Sequence, residues 1–165
     1  MRVFAVTGLS GMGKTTVVEK IVETLSSRGS TVVTVKSSKH DLKNDDGSDS
    51  WRHGQAGAKT TIIIGPSSTR IQYPERKALR EILNGDEADF LIIEGMKRSE
   101  VPKFWCIGAL KIDYAAIPKS VKAIVTWDSS IVEQEREIPI IDSSDIERLI
   151  RIVQQDAIEL SGLDI

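Results

Sequence analysis

The sequence predicts an α/β fold in which a mostly parallel central sheet is flanked by helices in three layers. Three observations predict it. An apolar run, Val3-Phe4-Ala5-Val6, leads into Gly8-Leu9-Ser10-Gly11-Met12-Gly13-Lys14-Thr15 and then into a helical pattern. A β-branched run, Thr31 to Lys36, follows that helix and completes a β-α-β opening. Further along, the most apolar strand pattern of the chain, Phe90 to Ile93, ends at an acidic residue, Glu94.

The first element carries the chemistry. Residues Gly8 to Thr15 have the G-x-x-x-x-G-K-[ST] spacing of a phosphate-binding loop, set between a strand and a helix. The expected fold is therefore P-loop NTPase-like. A polyphosphate needs many close donors, and glycines let the main chain wrap tightly enough for its N–H groups to point inward. Gly8, Gly11 and Gly13 supply that freedom, with Ser10 and Met12 between them and Thr16 just beyond. Lys14 is placed to reach the β- and γ-phosphates and Thr15 to offer a hydroxyl to magnesium. The helix that follows aims the positive end of its dipole at the anion.

The remaining elements follow from periodicity. Val17, Val18, Ile21, Val22 and Leu25 recur at helical spacing, so a helix is expected from Lys14 to Arg28, ended by Gly29. Thr31 to Lys36 then forms a strand, parallel to the first through a right-handed crossover. Residues 37 to 50 hold only Leu42 as an apolar group and read as a solvent-facing loop, long enough to suggest function. Trp51 to Lys59 reads as a short helix, Thr60 to Ile64 as a buried strand, and Ile71 to Tyr73 as another. Pro74 opens a helix through Leu83, closed by Asn84-Gly85. Strands are expected over 122–127 and 138–141. Ser144-Asp145-Ile146-Glu147 has the form of a capping box that starts a long helix, with Ile146, Leu149, Ile150, Val153, Ala157 and Leu160 in one apolar stripe. The stretch from Met96 to Pro118 yields no assignment.

Composition bounds the function. A length of 165 residues suits a single nucleotide-binding domain over 1–165. The 22 basic and 24 acidic residues give a net charge of −2, which argues against a dedicated surface for nucleic acid or acidic membrane. A single cysteine, Cys106, excludes an internal disulfide and, among apolar neighbours, reads as a small buried hydrophobe. No stretch approaches the roughly 18 apolar residues that span a bilayer, so a soluble, cytoplasmic protein is expected.

Glu94 is the second residue that matters. A carboxylate at the carboxyl end of a buried strand, beyond a phosphate loop, is poised over magnesium or a catalytic water. Parallel sheets bind ligands at that edge. Asp89 begins the same strand at the other end and is a poorer candidate.

Three blocks together resemble the molybdopterin-guanine dinucleotide biosynthesis protein B (MobB) family. They are Thr7 to Thr16; Val35-Lys36-Ser37-Ser38-Lys39-His40-Asp41, continuing through Gly47-Ser48-Asp49-Ser50-Trp51-Arg52 to Ala56-Gly57-Ala58; and Ile93-Glu94-Gly95-Met96-Lys97. The second block is the specific one. The resemblance implies a GTP-binding accessory protein, a homodimer, that assists attachment of a guanine nucleotide to molybdopterin beside a guanylyltransferase partner, with weak magnesium-dependent GTP hydrolysis. It implies that Gly11, Gly13, Lys14, Thr15 and Thr16 cradle the phosphates and that Glu94 addresses magnesium or water. The Lys36 to Arg52 segment, His40 and Asp49 foremost, then approaches nucleotide or pterin, and Lys97 stands beside it.

The chain also departs from the family pattern. Ser37 and Lys39 stand where histidine is usual, which leaves His40 alone and weakens a histidine-based metal site. The usual Gly-Phe-Lys after the glutamate is Gly95-Met96-Lys97. Asn-Lys-x-Asp, a common guanine-reading tetrad, is absent, and Thr126-Trp127-Asp128 is the nearest substitute. Asp128 either reads the guanine edge or serves as a cap or turn residue. A small-molecule kinase shares this loop class, but Arg70, Arg76, Arg80 and Arg98 are scattered and form no evident lid. A nucleotide-dependent adaptor without catalysis is the other rival.

Overall fold

The amino-terminal apolar run forms strand β1 (Arg2–Gly8), with its five central residues buried on both faces, as a central strand of a parallel sheet requires. The computed structural model describes residues 1–38, 46–128, 130 and 138–163. After β1 come α1 (Lys14–Ser27), β2 (Val32–Lys36), α2 (Asp49–Gln55), β3 (Thr61–Ile64), β4 (Thr69–Gln72) and α3 (Leu79–Ile82). Then follow β5 (Phe90–Glu94), β6 (Lys103–Gly108), β7 (Val121–Thr126), β8 (Ile140–Asp142), α4 (Ile146–Asp156) and β9 (Ile158–Glu159). Short 3₁₀ turns span Tyr114–Ala116 and Leu160–Gly162. No helix among the described residues is long and apolar enough to cross a membrane.

The chain divides into two compact units, Met1–Ser37 with the chain from Gly85 onward, and Ser38–Asn84. In the first, the strands run in the order β2-β5-β1-β6-β7-β8, all parallel, and β9 pairs antiparallel with the start of β1. Strand β5 inserts between β1 and β2, although β2 follows β1 in sequence. Helices α1 and α4 share one face. Val17, Val18, Ile21 and Leu25 of the first and Leu149, Ile150 and Val153 of the second pack on Phe4, Val6, Ile92, Phe104 and Val125. On the other face Trp105, Ile107 and Ile124 meet Ile112, Tyr114 and Ile117 from the irregular stretch after β6. Alternation along β6 sends Phe104 and Cys106 one way and Trp105 and Ile107 the other.

Polar side chains pin the ends of these elements. The Asp89 carboxylate accepts from the Thr31 amide at 2.8 Å and its hydroxyl at 3.0 Å, tying the start of β2 to the start of β5. These bonds hold the Asp89 carboxyl below its ordinary value. Helix α1 ends at Gly29, whose φ of +87° lets the amides of Gly29 and Ser30 turn back to Ser26 and Leu25.

Several expectations change. Thr60 to Ile64 does form a strand, but not a buried one: Ile62 and Ile64 are 58% and 79% exposed. Among the described residues strand β3 pairs with β4 alone, as an antiparallel ribbon in the second unit, and two strands cannot enclose a core. The helix expected from Pro74 shrinks to the single turn of α3, because Glu75, Arg76 and Lys77 offer nothing apolar to bury and one turn is a poor nucleus. The helix expected from Trp51 begins earlier, at Asp49, where the Ser48 side chain accepts from the Trp51 amide, and it ends at Gln55. The capping box is displaced by one residue. Asp145 caps α4 by accepting from the Arg148 amide, while the Ser144 hydroxyl turns to Asp142. Leu160 lies beyond the helix, in a 3₁₀ turn. The unassigned stretch contains β6, every residue of it buried.

Candidate functional site

Parallel pairing sets Val6 beside Glu94 and Glu94 beside Lys36 in register, so the loop after β1 and both charged residues share the carboxyl edge of the sheet. There the Thr15 hydroxyl donates to Glu94 Oε2 at 2.9 Å, and Lys36 Nζ stands 3.4 Å from Oε1. Both carboxylate oxygens are engaged. The Glu94 side chain is 13% exposed against 70% for Lys36, so the acid is held and the lysine is free to swing. Lys14 Nζ folds back to donate to the Leu9 carbonyl at 2.5 Å.

The loop glycines do different work. Gly8 adopts a φ of +144°, and a Cβ there would lie 2.2 Å from the Cys106 carbonyl oxygen, so this glycine lets β6 approach. Gly13, at φ +74°, precedes α1 and would press a Cβ within 2.9 Å of the Trp127 ring. No side chain caps the first turn of α1 and no acidic residue sits in it, which leaves its amides open to an anion.

Immediately after Glu94 the chain makes an unusual turn. The Gly95 amide donates to the Val6 carbonyl at 2.9 Å, and Met96 is a non-glycine residue at positive φ, +49°. The turn is closed from within by Lys103, wholly buried at the start of β6. Its ammonium donates to the carbonyls of Met96 at 3.0 Å, Lys97 at 3.3 Å and Ser99 at 2.6 Å, and to the Ser99 hydroxyl at 3.2 Å. Burial pulls the Lys103 pKa below its ordinary value, against the opposing pull of Glu100. Lys97 Nζ lies over the Trp105 ring, 4.6 Å from its centroid.

At the same edge, directly after β7, Trp127 is half exposed. A pocket of about 210 Å³ is lined by Met12, Gly13, Thr16, Val17, Val125, Thr126, Trp127 and Ser143. The Thr126 hydroxyl donates to the Gly108 carbonyl and accepts from the Asp128 amide, and the Asp128 carboxylate accepts from the amide and hydroxyl of Ser130. That turn holds the Asp128 carboxyl below its ordinary value.

The structure thus gathers Gly8, Ser10, Gly11, Met12, Gly13, Lys14, Thr15, Thr16, Lys36 and Glu94 at one sheet edge, and Lys97 follows in the turn after Glu94. Asp128 serves as a turn residue. Asp49 belongs to the second unit, in the first turn of α2, 3.7 Å from Arg52. His40 lies outside the described residues. Sequence reasoning missed Lys103, although a lysine opening the apolar run Phe104 to Ile107 was the available signal. It also missed Trp127 as a pocket wall. Cys106 is buried and its thiol is pushed up to about 12, chiefly by burial, as an inert packing residue requires.

Fold and loop define a P-loop NTPase-like α/β protein. The family model described as molybdopterin guanine dinucleotide synthesis protein B matches residues 3–127, so the chain belongs to the MobB family. It is 33% identical over 104 residues to the molybdopterin-guanine dinucleotide biosynthesis adapter protein of Haemophilus influenzae, covering 59% of this chain and 58% of that one. It is 35% identical over 111 residues to the putative adapter protein of Methanocaldococcus jannaschii, covering 62% and 46%. The chain thus spans about half the length of these relatives. The crystal structure of Bacillus subtilis MobB superposes with a TM-score of 0.78 at 25% identity, covering 96% of this chain and 99% of that one. A MobB homolog from Bacillus stearothermophilus shares the fold at 0.69 and 23% identity, over 93% and 99%.

Proposed function

We propose that this chain is a GTP-binding accessory protein in molybdopterin guanine dinucleotide formation, acting as a cytoplasmic homodimer beside a guanylyltransferase and hydrolysing GTP slowly. One observation carries the nucleotide-binding part: the Thr15 hydroxyl and Glu94 carboxylate meet at the mouth of a glycine loop whose helix amides are uncapped. The names of the adapter relatives support the pathway.

Thr15 Oγ1 and the Glu94 oxygens are hard oxygen donors 2.9 Å apart, a set that suits magnesium. Bound there with the nucleotide, magnesium supplies charge neutralisation on the phosphate oxygens. The protein does the rest. The α1 amides bind the phosphates, and Lys14 leaves the Leu9 carbonyl to meet them. Glu94 orients the Thr15 hydroxyl and is placed to accept a proton from an attacking water.

Calorimetric titration with GTP, ATP and their diphosphates in magnesium tests the reading. Lys14→Ala should lower GTP affinity about 100-fold by removing a charge-assisted contact, and should leave unfolding unchanged. Glu94→Gln should spare binding and slow hydrolysis about 100-fold. Undiminished GTP affinity in Lys14→Ala would show the loop assignment to be wrong.

A further inference from the structure

The pocket beside the phosphate loop has a wall with no assigned task. Trp127 follows β7 directly at the carboxyl edge, and it is 50% exposed although the last four residues of the strand behind it are buried. The ring is not loose. A Cβ at Gly13 would meet it at 2.9 Å and one at Gly108 at 2.6 Å, so two backbone segments hold it in place. A pre-set aromatic surface loses little freedom when a ligand lands on it.

We propose that this pocket is the purine subsite of the nucleotide site and that the Trp127 indole is the surface on which the base stacks. The inference rests on the nucleotide-binding reading above. Continuity supports it: Lys14 and Thr15 belong to the phosphate end, and the next residue, Thr16, already lines the pocket. A nucleotide with its terminal phosphates at Lys14 therefore extends toward Trp127. Size supports it too, since about 210 Å³ accommodates a fused aromatic heterocycle. Two of the polar groups nearby are committed elsewhere. Thr126 is bonded to Gly108 and Asp128, and the Asp128 carboxylate to Ser130. The indole takes the face of the base. Purines, with more ring to stack, bind better than pyrimidines.

Titrate the unaltered chain, Trp127→Ala and Trp127→Phe with GTP, ATP, CTP and inorganic tripolyphosphate in magnesium. Trp127→Ala should lose about tenfold or more in GTP and ATP affinity, and Trp127→Phe no more than about threefold. Tripolyphosphate, which has no base, should bind all three proteins equally. The purine advantage over CTP should shrink in Trp127→Ala. Unchanged GTP affinity in that variant overturns the proposal while the phosphate-loop reading stands. An equal loss for GTP and tripolyphosphate overturns it as well, and makes the indole a prop for Gly13. If the unaltered chain binds neither ligand, the phosphate-loop reading falls and takes the subsite with it.

Discussion

Strands β3 and β5 are built from the same kind of residue and meet opposite fates. Thr61-Ile62-Ile63-Ile64 lies largely exposed in the second unit, whereas Phe90-Leu91-Ile92-Ile93 is buried in the first. The difference is the neighbours. Strand β5 has β1 and β2 on its two sides and α1 packed over one face, while β3, among the described residues, pairs with β4 and packs on α2. Burial is a property of the sheet a strand joins, and an isoleucine carries no mark of which sheet that will be.

The sharpest way to break this comparison is truncation on both sides of it. Ile92→Ala, at a wholly buried position, should cost about 2–5 kcal/mol in denaturant unfolding. Ile64→Ala, 79% exposed, should change stability by no more than about 0.5 kcal/mol. A large loss at Ile64 would mean that the ribbon is covered in solution. Next in size is Lys103→Met, which comes within one heavy atom of the lysine's length but strips the donor from three carbonyls and a hydroxyl. It should cost roughly 2–3 kcal/mol and lower GTP hydrolysis with it, since the turn beside Glu94 loses its clamp. Equal stability of that variant would mean that water replaces the ammonium.

A more modest effect belongs to Asp89. Its carboxyl is lowered in the folded chain by the Thr31 bonds, so the stabilisation is present above the ordinary value of 3.8 and is lost as pH falls through the lowered folded value. Asp89→Ala should therefore melt a few degrees below the unaltered chain at pH 7, roughly the shift expected for losing exposed hydrogen bonds. The gap between the two melting curves should narrow as pH falls below 3.8 and through that lowered value. A gap that persists in acid would assign the effect to packing.

The phosphate loop, helix α1 and the acidic end of β5 were legible because each has a local signature: glycine spacing, a helical apolar stripe, and a carboxylate closing an apolar run. The MobB resemblance was legible for the same reason, in contiguous blocks of sequence. What escaped depended on partners distant in sequence. Strand β6 was hidden because its apolar run is short and opens on a lysine, and only the inward carbonyls of Met96, Lys97 and Ser99 explain a buried ammonium there. The cap of α4 moved from Ser144 to Asp145 because Asp142 competes for the serine hydroxyl. The exposure of β3 was illegible for want of any local cue. The Trp127 wall was hidden because the ring's supports, Gly13 and Gly108, are separated from it by 114 and 19 residues of sequence.

The Lys103 clamp also bears on how this corner of the molecule can vary. Three of its four acceptors are main-chain oxygens, which every amino acid brings. Substitutions at 96 and 97 can therefore alter what the bend shows to its surroundings without altering its path, provided the cation at 103 stays. The thioether at 96 is one such decoration: the shape is carried by a single internal charge, and what the bend displays is left open.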